Sequence, residues 1–236
     1  MIPLGDSEAA RRLSLVNTTL IAGNLATFGL EVWTTNIPMI EWFALVPARI
    51  SHLQWTEPMA GAAALLTLVT SLFLHAGVLH VAGNMLYLLV FGPAVEARLG
   101  HMRFIVFYLA AGIVACLAMV VMAPQSLVPV IGASGAIAGV LGGYFVLHPG
   151  GRISTVLPAT LVLRSVEVPA IVYLLIWFGL QLYWGISSQS GGLLLGGVAW
   201  WAHVGGFLFG VGAAPLMAAE PVKTRRIAKT VRASRR

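Results

Sequence analysis

Six stretches of the chain are apolar over roughly the 20 residues that a helix needs to cross a bilayer about 30 Å thick. They lie near residues 14–35, 78–97, 102–123, 133–149, 168–186 and 199–218. The connection between the first two, residues 36–77, is long, rich in aromatics and proline at "NIPMIEWFALVP", then apolar again at "AGAAALLTLVTSLFLHAG". Its second half reads as a helix lying partly in the membrane. A seventh span is the rival reading, and it would put the two termini on opposite sides. "ISTVLPATLVL" has about half the length needed to cross and reads as an interfacial segment. "GISSQSGGLLLGG", with two glycine pairs, reads as a mobile flap. No repeat of fixed period and no second domain is visible.

Composition supports the membrane as solvent. With 58% hydrophobic and 9% charged residues over 236 positions and a mean hydropathy of +0.89, the chain is too apolar for an ordinary soluble domain. The expected fold class is all-α, a six-transmembrane-helix bundle with a long membrane-associated loop between its first two spans. The expected organisation is an N-terminal segment 1–13, a membrane domain 14–218 and a basic tail 219–236.

Charge then orients the bundle. All 14 Lys and Arg residues but Arg49 fall before the first span (Arg11, Arg12), in connections holding Arg98, Arg103, Arg152 and Arg164, or in the tail from Lys223 to Arg236. An even number of spans places all of these on one side, which the positive-inside rule makes cytoplasmic. The net charge of +6 therefore reports topology, and the tail is expected to meet anionic lipid rather than nucleic acid. "RRLSLV" has a twin-arginine look, but "LVNTTLIAGNLATFGLEVW" is long for a signal peptide and reads as a retained first helix. Cys116 is the sole cysteine, so no internal disulfide forms, and it is expected to pack in the third span.

Polar groups inside membrane spans are costly and are functional candidates by default. Here they are Glu31, His75, His80, Asn84, Glu96, Ser134, His148, Gln181 and His203. Elimination narrows the chemistry. The single aspartate, Asp6, precedes the first helix, so neither an intramembrane aspartyl pair nor a Ser-His-Asp triad can be built. No histidine is followed by glutamate, which removes the helical zinc-protease motif. A serine with a histidine remains.

Ser134 follows the helix-breaking "APQSLVPVIG" and falls in the first turn of the fourth helix, where unpaired backbone N–H groups and the helix dipole favour an oxyanion. His203, in "WWAHVGGFLFG", lies at similar depth near the same end of the sixth helix. Hydrogen-bond distance between them, about 2.6 to 3.2 Å, requires two helices in close contact. Gly135, Ala138, Gly139, Gly142 and Gly143 on one, with Ala202, Gly206 and Gly210 on the other, form small-xxx-small faces that allow it. Such faces also occur purely for packing. His80 and Asn84 share one face of the second helix at i and i+4, where they could donate hydrogen bonds to an oxyanion. Taken singly, each also reads as an interior residue that caps or bridges helices.

In this setting the chain resembles the rhomboid family of intramembrane serine proteases along nearly its whole length. The resemblance rests on "HVAGN", "EAR", "GASG" and "AHVGG", in the family's order. It implies Ser134 as nucleophile and His203 as general base in a dyad without an acid. His80, Asn84 and the Ser134 backbone N–H then form the oxyanion hole, and Glu96 and Arg98 are a structural, non-catalytic pair. It implies no cofactor and no metal. Implied substrates are single-span membrane proteins cut near the outer end of their helix, reached laterally past a fifth helix carrying Trp177, Phe178 and Gln181. A multi-pass protein of a bacterial cytoplasmic membrane, with both termini cytoplasmic, is the implied location.

Two positions depart from the family's pattern. Ala138 stands where some members place an aromatic on which the histidine stacks, and Trp55 is followed by Thr56 instead of arginine. The alternative function is a catalytically silent relative that binds membrane clients. A haem or metal carrier using His75, His80 and His203 is disfavoured because five residues between the first two do not align them on one helix face. A transporter would call for inverted repeats, which are not visible.

Overall fold

The computed structural model describes residues 2–8, 14–34, 38–52, 58–156, 165–189 and 198–218. Each predicted apolar stretch is a helix: α1 (Leu15–Trp33), α5 (Val78–Leu99), α6 (His101–Met122), α7 (Ser134–Leu147), α8 (Ala170–Gln189) and α9 (Trp200–Met217). The connection after α1 holds the short helices α2 (Met39–Phe43) and α3 (Pro47–Ser51), then α4 (Pro58–Thr70) running into a 3₁₀ turn, Ser71–Phe73. The chain is predominantly helical. Among the described residues three helices, α5, α6 and α8, are long and apolar enough to cross a membrane.

The expected all-α chain also carries a small sheet. β1 (Ile2–Asp6) pairs antiparallel with β2 (Arg152–Val156), which pairs antiparallel with β3 (Ser165–Pro169). Part of the segment read as interfacial is thus the central strand. Its "RISTV" alternates buried and exposed positions and is β-branched at three of them, the period and residue type of a half-buried strand. Tyr144, near the end of α7, donates to Asp6 Oδ1 at 3.0 Å and fastens β1 to the helices. Burial pushes the Asp6 carboxyl above its ordinary range.

α7 is the centre. It has 14 residues, about 21 Å of helix, and is buried almost throughout. It packs most closely against α9, and the two run parallel: Gly135, Gly139 and Gly143 face Gly206, Gly210 and Ala214. A Cβ on Gly206 would lie 2.1 Å from the Gly135 carbonyl oxygen, and one on Gly210 would lie 2.0 Å from that of Gly139. The backbones themselves are in contact, as small-residue faces permit. α6 joins on the other side through Ala111, Ala115 and Ala118, whose methyls touch Gly139, Gly135 and Gly205. Cys116 is buried in α6, as expected.

Glu96 and Arg98 do not pair with each other. Two residues apart on a helix, they point to different sides. The Glu96 carboxylate accepts from the backbone N–H groups of Val16 at 3.0 Å and Asn17 at 2.8 Å, and from Ser14 Oγ, so it caps α1 from a neighbouring helix. Arg98 Nη1 donates to the Leu147 carbonyl at the opposite pole of α7, 2.9 Å away. Each charge satisfies the helix end whose dipole it complements, a hydrogen bond of the charged kind worth about 1.5 to 3 kcal/mol.

Several expectations lie outside the described residues: Arg11 and Arg12, the Trp55–Thr56 dipeptide, Arg164, most of the glycine-rich flap, and the basic tail.

Candidate active site

Ser134 is the first residue of α7, so its N–H has no acceptor within the helix. The loop that delivers it is pinned twice. Leu45 and Val130 exchange backbone hydrogen bonds of 3.1 and 2.7 Å, and the Gly132 N–H donates to the Ser71 carbonyl at 2.8 Å. Gly132 has φ +113°, and a Cβ there would lie 2.7 Å from His80 Nε2. The first glycine of "GASG" is therefore required both by its backbone conformation and by the imidazole beside it.

His203 stands in the first turn of α9. Because α7 and α9 are parallel, their first turns lie at the same end, and His203 Nε2 is 2.8 Å from Ser134 Oγ. Its Nδ1 is 2.7 Å from Gln181 Oε1 on α8. The Trp177 ring lies tilted at 6.0 Å between centroids, and Trp200 meets the imidazole edge-on at 6.2 Å. Ala138 is fully buried, and the Cβ position of Gly206 falls 3.4 Å from its methyl. An aromatic at 138 would force the two helices apart, and the rings beside His203 come instead from α8 and α9.

The α5 residues complete the cluster. The Ala76 N–H donates to His80 Nδ1 at 3.4 Å, which leaves the His80 proton on Nε2, the nitrogen facing Gly132. Asn84 Nδ2 is buried with no acceptor within reach among the described residues. Two donors thus converge beside Gly132, two residues before Ser134. A cavity of about 360 Å³ opens onto Ser134, His203, His80 and Asn84, with Tyr87, Ile137, Leu141 and Trp177 along its apolar wall. A hydroxyl bonded to an imidazole, beside unfilled N–H donors, is the arrangement needed to activate an alcohol and hold an oxyanion.

Of the other polar candidates, Gln181 touches His203, while Glu31, His75, Glu96 and His148 have partners elsewhere. His75 meets the His80 ring edge-to-face at 5.1 Å. His75 lies in the turn before α5, not on it, so helical spacing does not govern which way its ring faces. Its backbone N–H donates to the Glu31 carboxylate at 3.2 Å, and its ring Nδ1 donates to the Phe73 carbonyl at 3.2 Å. Burial, helped by His80, holds its imidazole down to about 4. His148 serves the other pole, with Nε2 3.2 Å from the Ala94 carbonyl. The spacing of "IWFGLQLYW" marked Gln181 as an intramembrane polar residue but gave no sign that it touches His203.

The Rhomboid domain family matches residues 62–220. The chain belongs to the rhomboid family, a class of membrane proteins. It is 35% identical to rhomboid protease GluP of Bacillus subtilis (strain 168) over 147 residues, 62% of this chain and 25% of GluP. It is 29% identical over 159 residues to presenilin-associated rhomboid-like protein A, mitochondrial, of Danio rerio, covering 66% of this chain and 39% of that protein. The rat presenilin-associated rhomboid-like protein, mitochondrial (Rattus norvegicus), is 29% identical over 204 residues, 82% of this chain and 46% of its own length. The chain thus spans between 25% and 46% of the length of these relatives.

Proposed function

We propose that this protein is an intramembrane serine endopeptidase that cuts single-span membrane proteins within or beside their transmembrane segment. The observation that carries the proposal is the 2.8 Å contact between His203 Nε2 and Ser134 Oγ at the mouth of an apolar cavity. The similarity to GluP, a rhomboid protease, points the same way.

The proposed steps follow from the site. His203 Nε2 takes the Ser134 proton as Oγ attacks a peptide carbonyl. The oxyanion is held by His80 Nε2–H, Asn84 Nδ2–H and the Ser134 N–H at the positive end of α7. His203 returns the proton to the departing amine, leaving an acyl-enzyme on Ser134. Water, deprotonated by the same nitrogen, then releases the acid.

The proposed placement is a six-span domain over residues 14–218, with both termini on the cytoplasmic side of a bacterial membrane and the serine end of α7 facing outward. Two features support this topology. β1, from the N-terminal segment, shares a sheet with β2 and β3, which connect α7 to α8. Arg98, Arg103 and Arg152 fall at the same end. At about 21 Å, α7 is shorter than the bilayer core, so Ser134 would sit below the membrane surface.

The test is labelling by a fluorophosphonate probe and cleavage of a membrane-embedded reporter, comparing the native chain with Ser134→Ala and His203→Ala. Both variants should lose labelling, and cleavage should fall by roughly 10⁴-fold or more. A native chain that binds membrane proteins yet neither labels nor cuts would replace this reading with client binding.

A further inference from the structure

A neutral imidazole carries one N–H and one lone pair, so its two nitrogens cannot both accept. For His203 Nε2 to take the Ser134 proton, Nδ1 must hold the ring proton and must give it to an acceptor. The acceptor in place is Gln181 Oε1, 2.7 Å away. The orientation of the Gln181 amide is itself fixed: Nε2 donates to the Trp177 carbonyl one turn earlier on α8, at 3.3 Å. Reversing the amide would set NH₂ against Nδ1–H and a carbonyl oxygen against a carbonyl oxygen, losing both bonds. The Gln181 side chain is buried, at 7% exposure, so water does not compete freely for either.

We propose that Gln181 is a positioning residue that locks His203 in the Nδ1–H tautomer, filling with a neutral amide the place that a carboxylate holds in a Ser-His-Asp triad. The proposal rests on the Ser134–His203 reading above. It also accounts for Ala138. With no ring at 138 to hold the imidazole from α7, orientation passes to α8, through the Gln181 hydrogen bond to Nδ1 and the tilted Trp177 ring beside it. An amide supplies the geometric part of the acid's role and not its charge. In serine proteases a wrong tautomer alone costs about 10⁴-fold.

The test is ¹⁵N NMR of histidine-labelled protein, with the His203 signals assigned by their loss in His203→Ala. In the native chain the proton should sit on Nδ1, and in Gln181→Leu and Gln181→Met it should move wholly or partly to Nε2. Reporter cleavage by these variants should fall between tenfold and 10⁴-fold in kcat, with KM within about twofold and the unfolding midpoint unchanged. Gln181→Glu keeps an acceptor oxygen and should restore the native tautomer and most of the rate. An Nε2-protonated His203 in the native chain overturns the proposal without any variant, as does an unchanged tautomer and rate in Gln181→Leu. The NMR readout needs no turnover, so a correct tautomer in a chain that fails to label with fluorophosphonate would reject the protease reading and leave the Gln181 lock standing.

Discussion

Ser134 and His203 each occupy the first turn of their helix, and because α7 and α9 run parallel, hydroxyl and imidazole meet at 2.8 Å without either side chain reaching across a helix. An antiparallel pair with the same small-residue faces would have put the two residues at opposite ends of the bundle. The direction of the chain is thus as much a part of the site as the residue types.

Asn84→Ala should separate catalysis from stability. The Asn84 Nδ2 has no acceptor among the described residues, so truncating it costs no hydrogen bond from that nitrogen among them. Reporter cleavage should slow by about 10² to 10³ in kcat, the usual cost of one oxyanion donor, while the thermal midpoint in detergent stays put. An unchanged rate would remove Asn84 from the oxyanion hole.

Gly206→Ala should act on packing. The new methyl would lie 2.1 Å from the Gly135 carbonyl oxygen, a backbone atom that cannot rotate away. Overpacking of this kind costs about 1 to 3 kcal/mol, and fluorophosphonate labelling of Ser134 should fall with it. Gly212→Ala, on the same helix with nothing within 4 Å of its Cβ position, should leave the midpoint level or raise it slightly, since alanine is the better helix former. Equal effects of the two changes would mean that α7 and α9 are not in backbone contact.

Acid should weaken the fold through His75. The folded protein holds this imidazole at about 4, against about 6.5 in an unfolded chain. Between those values the unfolded state binds the extra proton, so stability falls as pH drops from 6.5 toward 4 and is untouched above 6.5. His80 is the titratable group against the ring, and the Glu31 carboxylate meets the His75 backbone N–H instead. Unfolding midpoints across pH 4.5 to 7 should show a flatter slope in His75→Asn than in the native chain. Parallel slopes would assign the acid sensitivity elsewhere.

The helices and the serine–histidine pair were legible because membrane spans are marked by composition, and the glycines at fixed spacing mark where two spans touch. Ala111, Ala115 and Ala118 of α6 follow the same rule and extend the contact to a third helix. The sheet was harder. "RISTV" alternates as a strand should, but its partner "IPLGD" contains Pro3 and Gly5, residues poor in strands, and pairs across a separation that no local pattern reveals. Glu96 and Arg98 look like a pair in a line of letters, yet helical geometry sends them to different partners. The bond from Gln181 to His203 joins two helices, and spacing along either one carries no trace of it.

The contact of α7 with α9 fixes more than proximity. Where a carbonyl oxygen rests against a glycine Cα, no rotamer can adjust and no larger side chain can be accommodated. The separation of Ser134 and His203 is therefore gauged by the main chain, which is the same at every position of every protein. Changes on the lipid-facing sides of the outer helices have no lever on that gauge, and the site is either correctly spaced or, once the seam parts, absent.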